Sequence, residues 1–251
     1  MIAIIYTTFL RDELMIKTTE SIVNHFPSNS ILLIADQGYK NSAKDNYYTS
    51  LQSKIPCEVH YLDFDCGAYY ARNRLVERAK ELNCEFCLIM ADSIGMIQDY
   101  DFQPIIEFLN EDKKRALVGF ELNGSKCAWE YLMEVTPNGI QFSYSNQYIT
   151  SKLIRYLRID ICRNIYLAKT DVLLDVPYDE DLKLGGHELN FLNLKKADYE
   201  CYWTNRYIFQ RYNSVTSEEY QQYRKRFSNF KTQAMNKLGI KGWVKMPKEI
   251  K

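Results

Sequence analysis

Within the first 95 residues, four short apolar runs are each followed by a polar cluster, and this alternation restricts the fold more than any other feature of the chain. The runs are Ile2 to Tyr6, Ile31 to Ala35, Glu58 to Phe64 and Phe86 to Ala91. Short apolar runs bounded by turn residues suit strands buried on both faces. After the first run, Asp12 is placed to cap a helix that carries Leu14, Thr18, Ile22, Val23 and Phe26 on one side, and Pro27 and Asn29 stop it. A polar segment separates the second and third runs. Gly67 then opens a helix with Ala71, Leu75, Ala79 and Leu82 in register. Strands alternating with helices predict an α/β chain: a mostly parallel central sheet wound by right-handed crossovers.

The second half is less regular. Ala116 to Leu122, Asn164 to Ala168 and Tyr199 to Phe209 read as strands, and His187 to Lys196 reads as a helix. Trp129 to Tyr148 suits a hairpin around Pro137-Asn138-Gly139. Ser217 to Lys237 places Tyr220, Tyr223, Phe227 and Phe230 at helical spacing among Arg224, Lys225, Arg226 and Lys231. Residues 206–251 hold 11 Lys+Arg and 3 Asp+Glu, which leaves 21 against 29 in the rest of a chain of zero net charge. A basic tail therefore follows an acidic body. Three readings of the tail stand: a helix packed on the body, a peripheral contact with anionic lipid, and, less favoured, a nucleic-acid contact.

Composition narrows the class. With 251 residues, 46% hydrophobic and 25% charged, the chain can build a full core, and low-complexity or disordered readings fall away. The opening Met1-Ile2-Ala3-Ile4-Ile5 lacks a basic leader region and reads as a strand, and no apolar run approaches the length of a membrane span. Seven cysteines without paired spacing favour a reducing, cytoplasmic setting, with the inner membrane face as a possible peripheral station. Cys84-Glu-Phe-Cys87 has no second pair and no nearby His, and reads as two cysteines packed under a strand.

In an open α/β sheet, ligands bind beyond the carboxyl ends of the strands. Here those ends carry Thr7-Thr8-Phe9-Leu10-Arg11, Asp36-Gln37, Asp65-Cys66-Gly67 and Asp92-Ser93. A nucleotide is matched by a carboxylate for base or ribose and an arginine for phosphate, and Asp36 and Arg72 are of those types. Arg72 also lies in the first turn of a helix, where anions are favoured.

These segments carry a resemblance. The chain resembles inverting, family-2-like glycosyltransferases of the GT-A (Rossmann-like) fold, and is most similar to the ganglioside-type β-1,4-N-acetylgalactosaminyltransferase domain and its bacterial relatives. The carrying segments, in order, are Thr8-Phe9-Leu10-Arg11, Leu33-Ile34-Ala35-Asp36, Gly67-Ala-Tyr-Tyr-Ala71-Arg72-Asn73, Cys87-Leu88-Ile89-Met90-Ala91-Asp92-Ser93, Asn164-Ile-Tyr-Leu-Ala-Lys169-Thr170 and Gly185-Gly186-His187-Glu188-Leu189-Asn190-Phe191. The resemblance covers residues 1–215, with a nucleotide-binding half at 1–95 and an acceptor half at 96–215. Residues 216–251 form a basic, aromatic C-terminal helical extension.

What it implies is a transfer from a nucleotide-sugar, of UDP type, to a hydroxyl of a glycan or glycoconjugate acceptor, of the kind used in polysaccharide biosynthesis. Thr7, Thr8, Arg11, Asp36, Arg72 and Asp92 would bind the donor. Glu188 would be the catalytic base, with His187 the second candidate. Trp129, Asp160 and Asn164 are acceptor candidates, and Asp160 alternatively pairs with Arg158. The family's metal motif needs two carboxylates after the fourth strand, whereas Ala91-Asp92-Ser93 keeps one, and Gln210 stands where a late histidine is common. Mn or Mg would rest on Asp92 with the diphosphate and water, or on Ser93. The alternative is a metal-independent site in which Arg72, Arg206 or Arg211 neutralises the leaving diphosphate. Two rivals remain: a nucleotidyltransferase, disfavoured because Thr7 to Arg11 has no glycine, and a non-catalytic sugar- or nucleotide-binding scaffold.

Overall fold

A computed structural model describes residues 1–123, 131–136, 138–143, 155–213 and 217–240. The first half runs β1 (Ile2–Thr8), α1 (Asp12–Asn24), β2 (Ser30–Asp36), α2 (Ser42–Gln52), β3 (Cys57–Tyr61), α3 (Ala68–Glu81), β4 (Phe86–Ile89), β5 (Ile94–Gly95) and α4 (Gln103–Asn110). The second half runs β6 (Arg115–Asn123), β7 (Leu132–Thr136), β8 (Gly139–Ser143), β9 (Leu157–Ile159), β10 (Tyr166–Lys169), α5 (Thr170–Asp175), α6 (His187–Lys196), β11 (Glu200–Arg211), α7 (Glu218–Arg224) and α8 (Phe227–Leu238).

The main sheet has the order β3-β2-β1-β4-β10-β6-β11-β5, with β9 paired to β11. β1 to β4 are mutually parallel, β6 and β11 run the same way, and β10 is inserted antiparallel between β4 and β6. The carboxyl ends of six strands and the start of β10 therefore meet at one edge. Side chains alternate between two faces, as the pleat requires. Ala3 and Ile5 of β1 pack with Leu75 and Val76 of α3 and Phe191 of α6. Ile2, Ile4 and Tyr6 pack on the other side with Met15 of α1, Leu51 of α2 and Ile105 of α4. Cys84 and Cys87 are buried in the first of these layers. No helix among the described residues is long and apolar enough to cross a membrane.

Several local expectations are corrected. Asp12 is not the cap of α1: Arg11 holds that position without a side-chain bond, and Asp12 in the first turn pairs with Lys44 at 2.9 Å. The polar segment after β2 is a helix, α2, capped by Asn41, whose side chain accepts from the Lys44 amide at 3.0 Å. The tail helix is two helices. Ser217 caps α7 by accepting from the Tyr220 amide, and the chain turns at Lys225–Arg226 into α8.

The tail packs on the body. Ala234 lies in a core with Tyr69, Leu182 and Leu189, and Lys237 bonds Asp179 and Asp181 at 2.6 and 2.7 Å. Gly185 of the loop before α6 has φ +74°, and a Cβ there would stand 3.1 Å from the Lys231 amide nitrogen, so this loop must be bare for α8 to seat.

Candidate active site

A cavity of about 460 Å³ opens at the strand-end edge. Its wall includes Thr7, Thr8 and Arg11 after β1, Gln37 after β2, Arg72 of α3, Asp92 and Ser93 after β4, Arg163 and Asn164 before β10, Glu188 of α6 and Arg211 of β11. The tail completes it with Tyr220, Tyr223, Arg224, Arg226 and Phe227. Among the described residues, seven basic side chains and three carboxylates line it, although the whole chain is neutral. Three of the cations, Arg211, Arg224 and Arg226, come from the basic C-terminal stretch.

Arg72 is the least compensated group. It is 5% exposed, and its Nη1 donates to Asn164 Oδ1 at 3.0 Å. Its Nε is buried without a hydrogen-bond partner, and its guanidinium lies 5.4 Å from the centre of the Tyr178 ring. A buried cation lacking a counter-ion is costly, so this arrangement suits an incoming anion. Gly67, at φ +105°, is the N-cap of α3, so Arg72, the fifth helical residue, lies in the second turn rather than the first as expected, and the Gly67 amide donates to Gln37 Oε1 at 2.8 Å. That bond ties the end of β2 to the helix N-terminus.

Asp92 is buried at the end of β4, and Arg11 grips both its oxygens, with Nε 3.1 Å from Oδ2. Burial pushes its carboxyl up, against the Arg11 charge and the Thr8 hydroxyl. Thr18 donates to the Asp92 carbonyl at 2.9 Å and fixes the loop. On the opposite rim, Asp65 receives Arg226 at 2.7 Å and Lys183 at 2.9 Å. Burial raises its carboxyl, but these two cations outweigh that and hold it below the usual range. Asp65 thereby latches the tail to the β3–α3 loop.

Glu188, in the first turn of α6, is 6% exposed and faces the cavity. Burial pushes its carboxyl up, while its own backbone and the Lys231 charge pull it down. Tyr69 senses both Arg72 and Glu188, which places the two charges around one ring. His187 beside it donates Nε2–H to the Cys162 carbonyl at 2.6 Å, and burial drives its pKa down to about 4, so it is neutral at pH 7.

Three expected residues stand elsewhere. Asp36 is 0% exposed and off the wall: its carboxylate holds Lys44 at 2.9 Å, Tyr48 at 2.8 Å and the Gly38 amide at 2.9 Å. It shapes the β2 end from below. Arg206 is exposed on β11 near Tyr156 and Tyr207, because a register shift between Thr204 and Ile208 turns the strand there. Asp160 is off the wall too: it takes Lys195 and the Met133 amide, both at 2.7 Å, joining the β7–β8 hairpin to α6. Arg158 pairs with Glu200 rather than with Asp160. Trp129 lies outside the described residues. Sequence reasoning placed Gln37 and Asp65 in the strand-end clusters without giving them a role, and did not assign Arg163, Lys183, Arg224 or Arg226 to the site; the +8 tail was the one signal for the last two.

The cavity does not fit a divalent cation in its present donor set. Such an ion needs several hard oxygens, whereas Asp92 is bound on both oxygens by Arg11 and flanked by Ala91 and Ser93. Among the described residues no group of three His, Cys, Asp or Glu could hold a metal.

No protein-family model and no curated protein matches the chain. Solved structures do. GalNAc-T7 with UDP, GalNAc and Mn2+ matches at TM-score 0.67 and 9% identity, over 93% of this chain and 50% of that one. S. aureus TarS 1-349 in complex with UDP-GlcNAc matches at TM-score 0.64 and 14% identity, over 91% and 64%. S. aureus TarS 1-349 matches at 0.59 and 15%, over 95% and 73%. The chain thus spans about half to three quarters of these neighbours' lengths, and its fold is the GT-A, Rossmann-like fold of glycosyltransferases.

Proposed function

We propose that the chain is a nucleotide-sugar-dependent, inverting glycosyltransferase that uses a UDP-sugar and acts on a hydroxyl of a glycan or glycoconjugate. The observation that carries this is Arg72: a buried guanidinium with no carboxylate partner among the described residues, facing a cavity rich in cations. A diphosphate supplies the missing charge. The crystal complexes of TarS with UDP-GlcNAc and of GalNAc-T7 with UDP support the choice of nucleotide.

In this reading Glu188 Oε accepts the proton of the acceptor hydroxyl as its oxygen bonds C1 of the donor sugar. The C1–O bond to the diphosphate breaks, and its electron pair goes to the β-phosphate oxygen. The cations of the cavity hold that charge. A carboxylate lifted by burial is a stronger base than a free one. His187, neutral and bonded to Cys162, supports the start of α6.

The test is turnover of UDP-GlcNAc, UDP-GalNAc and UDP-glucose, read as UDP released with and without glycan acceptors, after a thermal-shift screen of UDP, GDP, CMP and dTDP sugars. UDP release supports the enzyme. UDP-sugar binding without release would assign a non-catalytic scaffold.

A further inference from the structure

This inference deepens the reading above and rests on it. The sole carboxylate that the end of β4 offers is already neutralised from within the chain. Arg11 uses Nε–H and one Nη2–H on the two oxygens of Asp92. A guanidinium has five N–H donors, so three remain. The Arg11 side chain is 22% exposed and lines the cavity, with its guanidinium 5.0 Å from the centre of the Tyr220 ring. Carboxylate on one side and aromatic ring on another fix the fork, so little freedom is left to lose when an anion binds.

We infer that Arg11, seated on Asp92, is the fixed hydrogen-bonding fork of the donor site, and that its free N–H groups, together with the uncompensated charge of Arg72, hold the donor diphosphate without a divalent metal. The two guanidiniums divide the work by environment. Arg72 is deep and, among the described residues, bonds the side chain of Asn164 alone. Arg11 is shallower, and its Asp92 anchor sets its direction. A lysine at 11 would keep the charge and lose the fork.

The experiment is calorimetric binding of UDP to the full chain, in EDTA and in MnCl2. Equal affinity within about threefold is expected, since guanidiniums carry the charge in both buffers. In Arg11→Met/Asp92→Asn, where no buried charge is stranded, UDP should bind at least about tenfold more weakly while uridine, followed by ligand NMR, is unchanged. Should that variant not fold, Arg11→Lys decides, with the same selective loss for UDP. Manganese tightening wild-type UDP binding more than about tenfold would overturn the inference and leave the donor site standing. So would equal losses for UDP and uridine, or an unchanged UDP affinity in the folded variant. Absence of binding by UDP, GDP, CDP and dTDP in both buffers would remove the donor site itself, and this inference with it.

Discussion

Among single residues, Glu188 and His187 adjoin in sequence and are shifted in opposite senses by the same burial. For Glu188, burial favours the protonated form, so the acid limb of kcat/KM should lie above the ordinary carboxylate value of about 4.3. Lys231→Met removes a charge that pulls this group down, and the limb should move to still higher pH. Glu188→Gln should lower kcat by roughly 100-fold or more and leave the UDP dissociation constant unchanged; retained kcat would remove Glu188 from the base role. For His187 the folded chain resists protonation, with a pKa near 4 against an ordinary value near 6.5. The unfolded chain takes the proton first, so stability is full above about pH 6.5 and is lost as pH falls through about 4. The loss is about 3 kcal/mol when complete. Glu188 works with the opposite sign: its contribution is present at low pH and fades as pH rises through its folded value. Urea unfolding at pH 7, 6 and 5 isolates the histidine when compared with His187→Gln, whose side chain can still reach the Cys162 carbonyl. The wild type should lose more stability than the variant over that window.

Among elements, the loop before α6 and the tail helix α8 depend on each other. Gly185 combines a left-handed backbone with an approach of 3.1 Å to the Lys231 amide, whereas Gly239, at φ +68°, has nothing within 4 Å of where a Cβ would be. Gly185→Ala should therefore lower stability more than Gly239→Ala, which bears only the conformational penalty of about 1 kcal/mol. Thermal unfolding of both variants checks the order. The same elements explain what could be read beforehand. β1, β2 and β4 are legible because strands buried on both faces are continuous apolar runs. α2 is not, because its buried side is Lys44, Tyr48 and Leu51, and a lysine looks like solvent until Asp12 and Asp36 are seen to hold it. Asp36 was misjudged for the same reason: a carboxylate at a strand end looks alike whether it meets a ligand or a buried ammonium. Arg211 and Arg206 lie on one strand, and only the irregular pairing of β11 with β6 decides which reaches the cavity. The place of Glu188 on the cavity wall was expected from the resemblance of Gly185 to Phe191 to a family motif, not from any periodicity of the chain.

For the whole molecule, charge is balanced in sum and divided in space. An acidic body and a basic tail would attract each other anywhere on the surface, yet the contacts fall at defined points. Lys237 meets Asp179 and Asp181, Arg226 meets Asp65, and Glu219 accepts from Tyr39 at 2.7 Å. The residual cations, Arg72 foremost, stay on the cavity wall. This distribution makes donor affinity depend on salt in a way the zero net charge does not suggest. The screening length shrinks from about 10 Å at 0.1 M to about 3 Å at 1 M, so attraction from partly exposed cations such as Arg211 and Arg224 is lost first. Buried Arg72 is screened least. UDP affinity should therefore fall with NaCl and level off, with uridine affinity nearly flat over the same range. Asp65→Asn frees Arg226 and Lys183 from their anion. If the latch only holds the tail in place, UDP binding weakens and hydrogen exchange in 217–240 rises together. If the tail is held chiefly by its apolar contacts at Ala234, the freed cations should instead steepen the salt dependence and strengthen UDP binding at low salt. We expect the first outcome, because the Arg226–Asp65 ion pair closes a part-buried contact between loop and tail that water would otherwise enter. Titration of UDP from 0.05 to 1 M NaCl, with exchange measured in parallel, separates the two.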